Sequence, residues 1–438
     1  MPFRIKSIGF FAANDPLPLA ANQPLEVTRL DGGVIEPYYF QHYMLQSVVD
    51  DETLIIGAFV RGATPSFVVT FSAEDEDAGP ATITSINVDG GLLVASPRDV
   101  VLDIDDEETQ ALQFALSAPL PNAIGRTRVR LQWSIARNGG EPEIAGISTL
   151  VFYTVDALPA DLDLGGFGPW RYLEVLQWSC TIAAGQHGPA NILNALHAGI
   201  AGTGLHYGLI DPMEAISTVQ RMIQAGGGMC AVWAALFQAM AAWQGINVER
   251  RGFRLLWSNL DHGQSAWAAA VVANNFGVGR VDYPGGEVIQ LAPACDYHDY
   301  AGTYPPVALE PPVVNLNTRR YRFWANKEHP NTGDGHMLAF FDHANGNVTV
   351  YDPSFGARAT IAMPMPPNGF TRQTGDDIAP FKTSYLDPNF QYLMGTLRQD
   401  QNLYSAAPPI DEPVGTNGMT VRTPQIPAAN LTLIWNDA

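Results

Sequence analysis

The sequence predicts more than one domain, an all-β N-terminal sandwich followed by an α+β domain. Three observations lead there. The chain has 438 residues, more than one ordinary hydrophobic core absorbs, so two or three domains are expected. Hydrophobic residues make up 46% of it and charged residues only 16%, the balance of a packed globular protein rather than a disordered one. Across 157–169 the texture changes, from short alternating strands to segments that read as helices.

The strand candidates are 53–59, 66–71, 82–88, 100–104, 111–116, 126–136 and 148–154. Gly, Pro, Asn and Asp turns separate them at short, fairly regular spacing, which is the signature of an antiparallel sandwich. Arg128, Arg130 and Gln132 alternate with Val129, Leu131 and Trp133, so one face of that strand is buried and the other wet. The reading is an immunoglobulin-like module over 1–156, although no Cys-Trp-Cys pattern accompanies it. Its first 50 or so residues add strands or form an N-terminal arm.

A linker rich in Pro, Gly and Asp follows at 157–169, and 170–438 is read as the second domain. Segments 171–179, 189–198, 212–225 and 230–244 look helical. Pro212 behind Asp211 fits an N-cap followed by Pro at the first helical position. Residues 258–330 mix Gly, Pro and aromatic side chains with short apolar pieces. From 336 to 352 the pattern is strand-like, and beyond it Pro-rich loops alternate with short strand candidates. There is no internal repeat and no low-complexity tract.

Charge narrows the partners. With 44 acidic against 24 basic residues the formal net charge is -20, a field that repels nucleic acid and anionic lipid and favours solubility. A solvated acidic surface is the plain reading, and a basic polypeptide partner the more specific one. The three cysteines, Cys180, Cys230 and Cys295, are too few and too far apart for a disulfide framework, and none forms a CxxC pair. That implies a reducing compartment. The start of the chain lacks a sustained apolar run, and the apolar stretch 229–242 is too short to span a bilayer and contains Gln238. The expectation is a soluble protein, cytoplasmic by default, with no membrane insertion and with export by another route left open.

Chemistry enters with three residues. Cys230 ends the run Gly226-Gly227-Gly228-Met229-Cys230 and opens an apolar, helix-prone segment that Gly245 stops. A thiol at the N-terminus of a buried helix has its thiolate stabilised by the dipole and the free N–H groups. Those groups also suit the oxyanion of an acyl intermediate, and the glycines let substrate backbone approach. The plain alternative is a buried, inert cysteine. His336 and Asp352 follow, each bordering a strand-like run. A thiol, an imidazole and an orienting carboxylate are the parts of a nucleophilic acyl-transfer site. The alternatives are a strand-edge histidine bonded to backbone and an aspartate that starts a turn before Pro353.

Geometry makes this reading testable. His336 and Asp352 flank a hairpin whose turn lies within 342–347. A two-residue Asn345-Gly346 turn puts the two residues on opposite faces. A three-residue loop, Ala344-Asn345-Gly346, makes them diagonal neighbours on one face, and a five-residue loop over 342–346 sets them directly opposite. A catalytic pair therefore requires an odd loop or a bulge, with Gly346 at positive φ.

Other candidates are weaker. Cys295-Asp296-Tyr297-His298-Asp299 is metal-capable, but no second cluster matches it. Asp261-His262 could pair with Cys230, yet nothing places a carboxylate behind that histidine. The acidic run 103–108 lacks the spacing of a calcium loop. Gln224 could donate to an oxyanion, although a surface glutamine on a helix is the simpler reading. No phosphate loop or dinucleotide fingerprint occurs, and no cofactor or metal is implied.

At these residues the chain resembles the transglutaminase-like superfamily of papain-like cysteine enzymes. The elements are Gly228-Met229-Cys230 opening a buried helix, Gly245-Ile246 after it, and His336 followed by Asp352-Pro353. The ending Asp352-Pro353-Ser354-Phe355-Gly356 also resembles bacterial effector proteases of the YopT type. The resemblance covers mainly 212–256 and 334–356. It implies a papain/transglutaminase-like second domain in which 258–330 is an insertion, because the gap from Cys230 to His336 is long for the superfamily. Met337 and Leu338 depart from the common His-Ala-Trp. The expected activity is that of a cysteine peptidase or deamidase acting on a protein or peptide through Cys230, His336 and Asp352 by a thioester. The alternatives are a protein-glutamine cross-linking transglutaminase and a non-catalytic binding module that keeps the fold.

Overall fold

The computed structural model describes residues 3–10, 27–31, 34–38, 52–73, 77–104, 109–168, 170–203, 205–207, 218–225, 227–228, 230–259, 264–267, 269–273, 319–323, 336–354, 356–395, 418–422 and 428–437. It is mostly β-sheet, with several sheets and a few helices. The chain divides into two compact units. One comprises Met1–Asp161, Arg171–Ala195 and Trp243–Ile246, the other Leu162–Trp170, Leu196–Ala242 and Asn247–Ala438. The segment 157–169 is thus shared between the units, and the helix Leu173–Ile182 belongs with the first.

In the first unit, strands Phe3–Phe10, Ser66–Ala73 and Thr109–Ala115 form a three-stranded sheet. A five-stranded sheet runs in the order Glu52–Val60, Glu143–Val155, Gly125–Arg137, Asp77–Asn87, Arg98–Ile104. The two sheets bury one core, in which Phe67, Phe71 and Phe114 surround Trp133 at centroid distances of 6.0, 6.2 and 4.9 Å. The indole N–H of Trp133 donates to Ser148 Oγ at 2.6 Å, so its one polar atom is satisfied inside the core. Val129, Leu131 and Trp133 are buried while Arg128, Arg130 and Gln132 are not, the pattern that a period of two demands.

One expectation fails in this unit. Glu52–Val60 pairs with Glu143–Val155 in parallel, so the unit is not purely antiparallel. Adjacent strands joined by a tight turn are forced antiparallel. These two are separated by most of the unit, and no turn dictates their relative direction. The C-terminal half of Glu143–Val155 is buried on both faces. Leu150 and Phe152 enter the shared core, and the helix Leu173–Ile182 packs against this strand and against Gly125–Arg137.

The second unit centres on a seven-stranded sheet. Its main path is Ala357–Ile361, Val348–Asp352, His336–Asp342, Glu249–Asn259, Leu431–Asp437, Thr371–Thr374, with Gln264–Trp267 also pairing Glu249–Asn259. Every pairing in it is antiparallel. The helix Cys230–Trp243 is apolar because almost nothing on it meets water: only Ala231 of its 14 residues is more than marginally accessible. Its one amide, Gln238, donates Nε2 to the Val248 carbonyl at 2.5 Å. Its middle meets the sheet where Phe237 packs on Tyr351, centroids 5.1 Å apart. Of the expected insertion 258–330, the described parts beyond the end of Glu249–Asn259 are strands Gln264–Trp267, Ala269–Ala273 and Arg319–Phe323. The last two join Phe390–Gly395 and Gly418–Arg422 in a separate four-stranded sheet. The helix expected over 212–225 is described as Val219–Ala225; Asp211 and Pro212 lie outside the described residues. Among the described residues no helix is long and apolar enough to cross a membrane.

Candidate active site

The hairpin decides whether an imidazole and a carboxylate can meet. His336–Asp342 pairs Val348–Asp352 in the register Asp342↔Val348, Phe340↔Val350 and Ala339↔Tyr351. His343 N–H closes the ladder on the Asn347 carbonyl at 3.1 Å, leaving the three-residue loop 344–346. Gly346 has φ +82°, and Ala344 is also left-handed at φ +56°. The odd loop makes His336 and Asp352 diagonal neighbours on one face. Side chains brace the turn: Ala344 N–H donates to Asp342 Oδ1 and Asn347 N–H to Asn345 Oδ1, at 2.7 and 3.1 Å.

The two side chains are in contact. His336 Nε2 lies 2.8 Å from Asp352 Oδ2, and both side chains are fully buried. Burial by itself pushes the imidazole down, because it disfavours the charged form. The Asp352 carboxylate outweighs that by its charge and hydrogen bond, and Cys230 adds a smaller hydrogen-bond and charge contribution, so His336 rises from 6.5 to about 9. Nε2 is committed to Asp352, and Cys230 acts on the same ring by a hydrogen bond and by its charge. A carboxylate and a cysteine therefore act on one imidazole, the combination that proton shuttling to and from sulfur requires.

Cys230 is the first residue of its helix. The glycine two residues earlier is sterically required. A Cβ on Gly228 would run into Val232 Cγ1 on the first helical turn and would lie 3.3 Å from Met222 Cγ. Gly227–Gly228 also pairs in parallel with His206–Tyr207, which holds the approach to the thiol as extended backbone. Gly245, after the helix, has φ +77°, the left-handed residue that a helix stop uses.

Asp352 does more than the sequence suggests. Its Oδ1 accepts the Ser354 N–H at 3.1 Å and its carbonyl accepts the Gly356 N–H at 2.8 Å, the turn expected of an Asp before Pro353. Starting the turn and holding the imidazole are thus compatible. Two further groups reach it. The Tyr385 hydroxyl donates to Oδ2 at 2.5 Å, and His197 Nε2 donates to the Asp352 carbonyl at 3.1 Å. His197 is buried beside Tyr351 and Phe237, with ring centroids 5.5 and 6.2 Å away. Burial lowers its pKa, against the pull of the Asp352 carbonyl and charge, so it serves as a neutral donor. Neither residue carries a local sequence signal, since the first lies 33 and the second 155 positions from Asp352. An aromatic wall closes the face: Phe253 meets His336 edge-on at 5.9 Å and packs on Phe381 at 5.5 Å and Trp435 at 6.1 Å.

Cys295 with its neighbours 296–299, and Asp261 with His262, lie outside the described residues, as do 105–108 of the acidic run. Gln224 falls on the helix Val219–Ala225. Among the described residues no group of three or more metal-capable side chains converges.

No family model matches the chain, and no curated protein matches it. Among solved structures it is similar to WR4, an MSP family member of C. elegans, at 8% identity over 23% of this chain and 92% of that one, TM-score 0.16. The CooA pilin subunit from enterotoxigenic Escherichia coli is similar at 10% identity over 25% and 92%, TM-score 0.15. A putative protease from Parabacteroides distasonis is similar at 7% identity over 88% and 92%, TM-score 0.19. None of these likenesses is strong enough to identify a fold.

Proposed function

We propose that the chain is a thiol-dependent amide hydrolase, a cysteine peptidase or deamidase, with a transglutaminase-like second unit behind an immunoglobulin-like first one. One observation carries the reading: a buried His336–Asp352 pair at 2.8 Å whose imidazole also answers to a cysteine at a helix start. Cys230 Sγ attacks the amide carbon as a thiolate, and the first-turn N–H groups of its helix receive the oxyanion. The C–N bond breaks as His336 passes its proton to the leaving amine, and a thioester remains. Water then attacks, giving a proton back to His336. The C–S bond breaks and the acid leaves. Asp352 holds the imidazole in one orientation throughout. Hydrolysis is preferred to amine transfer because it needs nothing beyond these groups.

The test is turnover of peptide, glutamine-amide and amine-acceptor substrates by the full chain and by Cys230→Ala. Release of acid or ammonia that the variant lacks supports the proposal. Covalent incorporation of the amine instead identifies a cross-linking enzyme. No Cys230-dependent turnover of any of the three points to a binding module.

A further inference from the structure

Asp352 Oδ2 is shared. It receives His336 Nε2 at 2.8 Å and the Tyr385 hydroxyl at 2.5 Å, while Oδ1 takes the Ser354 N–H. A carboxylate only accepts, so the phenol must donate, and a bond of that length is the charge-assisted kind. Tyr385 stands in a five-residue π-helix, Lys382–Leu386, a rare conformation that recurs at functional sites. It is held from several sides. Lys382 Nζ bridges both oxygens of Asp387 at 2.7 and 2.9 Å, and Asn389 Nδ2 donates to the Tyr385 carbonyl at 2.7 Å. The ring packs on Phe381 at 5.0 Å and Phe253 at 6.4 Å.

We propose that Tyr385 is a positioning residue of the site, which tunes the basicity of His336 by drawing charge from the carboxylate oxygen that both of them bind. The proposal deepens the hydrolase reading and rests on it for its effect on turnover. The hydroxyl takes up part of the charge on Oδ2, and without it that charge falls more fully on the imidazolium. Among the described residues, the following groups face this network. Cys230 addresses His336 from its helix, Asp352 from the neighbouring strand and the Phe253 ring from the other side. Asp352 is met by Tyr385, by the Ser354 N–H and, through its carbonyl, by His197, on which Arg358 also acts.

The experiment is NMR titration of labelled histidine in the full chain, with the His336 resonance assigned by its loss in His336→Gln. The wild-type midpoint is expected near 9. Tyr385→Phe keeps the ring, and it should raise the midpoint by about half a pH unit or more. Should that variant not fold, uniform 3-fluorotyrosine supplies a stronger donor without truncation, and the midpoint should then fall. A midpoint that neither change moves overturns the proposal. If the midpoint moves but the wild type turns over no amide, the hydrolase reading fails and the tuning stands. If turnover is intact and the midpoint unmoved, only the tuning fails.

Discussion

Cys180 and Cys230 are both buried thiols on helices, and almost everything else about them differs. Cys180 sits in the last turn of Leu173–Ile182, where the helix dipole opposes a negative charge. Burial pushes it up to about 12, although Gln244 donates a weak hydrogen bond to it, and its own S–H points to the Thr154 carbonyl at 3.5 Å. Cys230 begins its helix, where the dipole favours a negative charge, and it faces an imidazole raised to about 9. Burial alone makes a cysteine inert. Burial against a cation at the start of a helix instead favours a thiolate.

The largest expected effect tests that contrast directly. Iodoacetamide at pH 7, followed by peptide mapping, should alkylate Cys230 about 10³-fold faster than Cys180 or more, because only a thiolate reacts. Equal, slow labelling of both would end the comparison. Next in size is Asp352→Asn. It keeps the shape but removes the charge that lifts His336, so burial then dominates and the imidazole becomes neutral at pH 7. Cys230 labelling should slow by about 10²-fold, while labelling of Cys180 stays as it was.

A third measurement reads the pair through stability, in a Cys230→Ala background so that the thiol does not titrate. The raised group holds its proton in the folded chain after the unfolded chain has released it. Its contribution is complete below pH 6.5 and is lost as pH rises toward about 9. Each unit of difference is worth about 1.4 kcal/mol, so the full rise from 6.5 to about 9 is worth about 3.5 kcal/mol; without the share that Cys230 adds, denaturant-derived stability should fall by somewhat less than that across the window. His336→Gln should flatten the slope, and an equal slope in both proteins would show that another group carries it. The smallest effect concerns the helix start. Gly228→Ala drives a methyl group into Val232 and should cost about 1–3 kcal/mol. Gly202→Ala, which meets nothing within 4 Å, should stay within about 0.5 kcal/mol. Similar midpoints for the two would remove the steric account of Gly228.

How much of this could be read in advance varies from residue to residue. Strand positions in the first unit could be read because alternation is a local property, and Val129, Leu131 and Trp133 declare their face without help. The parallel pairing of Glu52–Val60 could not, because nothing along the chain states which distant strand is a neighbour. The helix start at Cys230 and its stop at Gly245 were visible as glycine-bounded apolar sequence. The hairpin could be reduced to a choice among loop lengths, and hydrogen bonding in the turn made the choice.

The linear chain determined which side chains had suitable chemistry: a thiol at a helix start, an imidazole and an acid at strand ends, and glycine where backbone must pass closely. These follow from periodicity and conformational preference over a few residues. Only tertiary structure decided that His336 and Asp352 share a face, that Tyr385 and His197 converge on the acid, and that one buried cysteine faces an imidazole while the other faces a backbone carbonyl. The physical reason is range. Propensity acts between neighbours in sequence, whereas the fields and hydrogen bonds that set reactivity act across a few ångströms of packed interior, between residues the chain brings together from far apart.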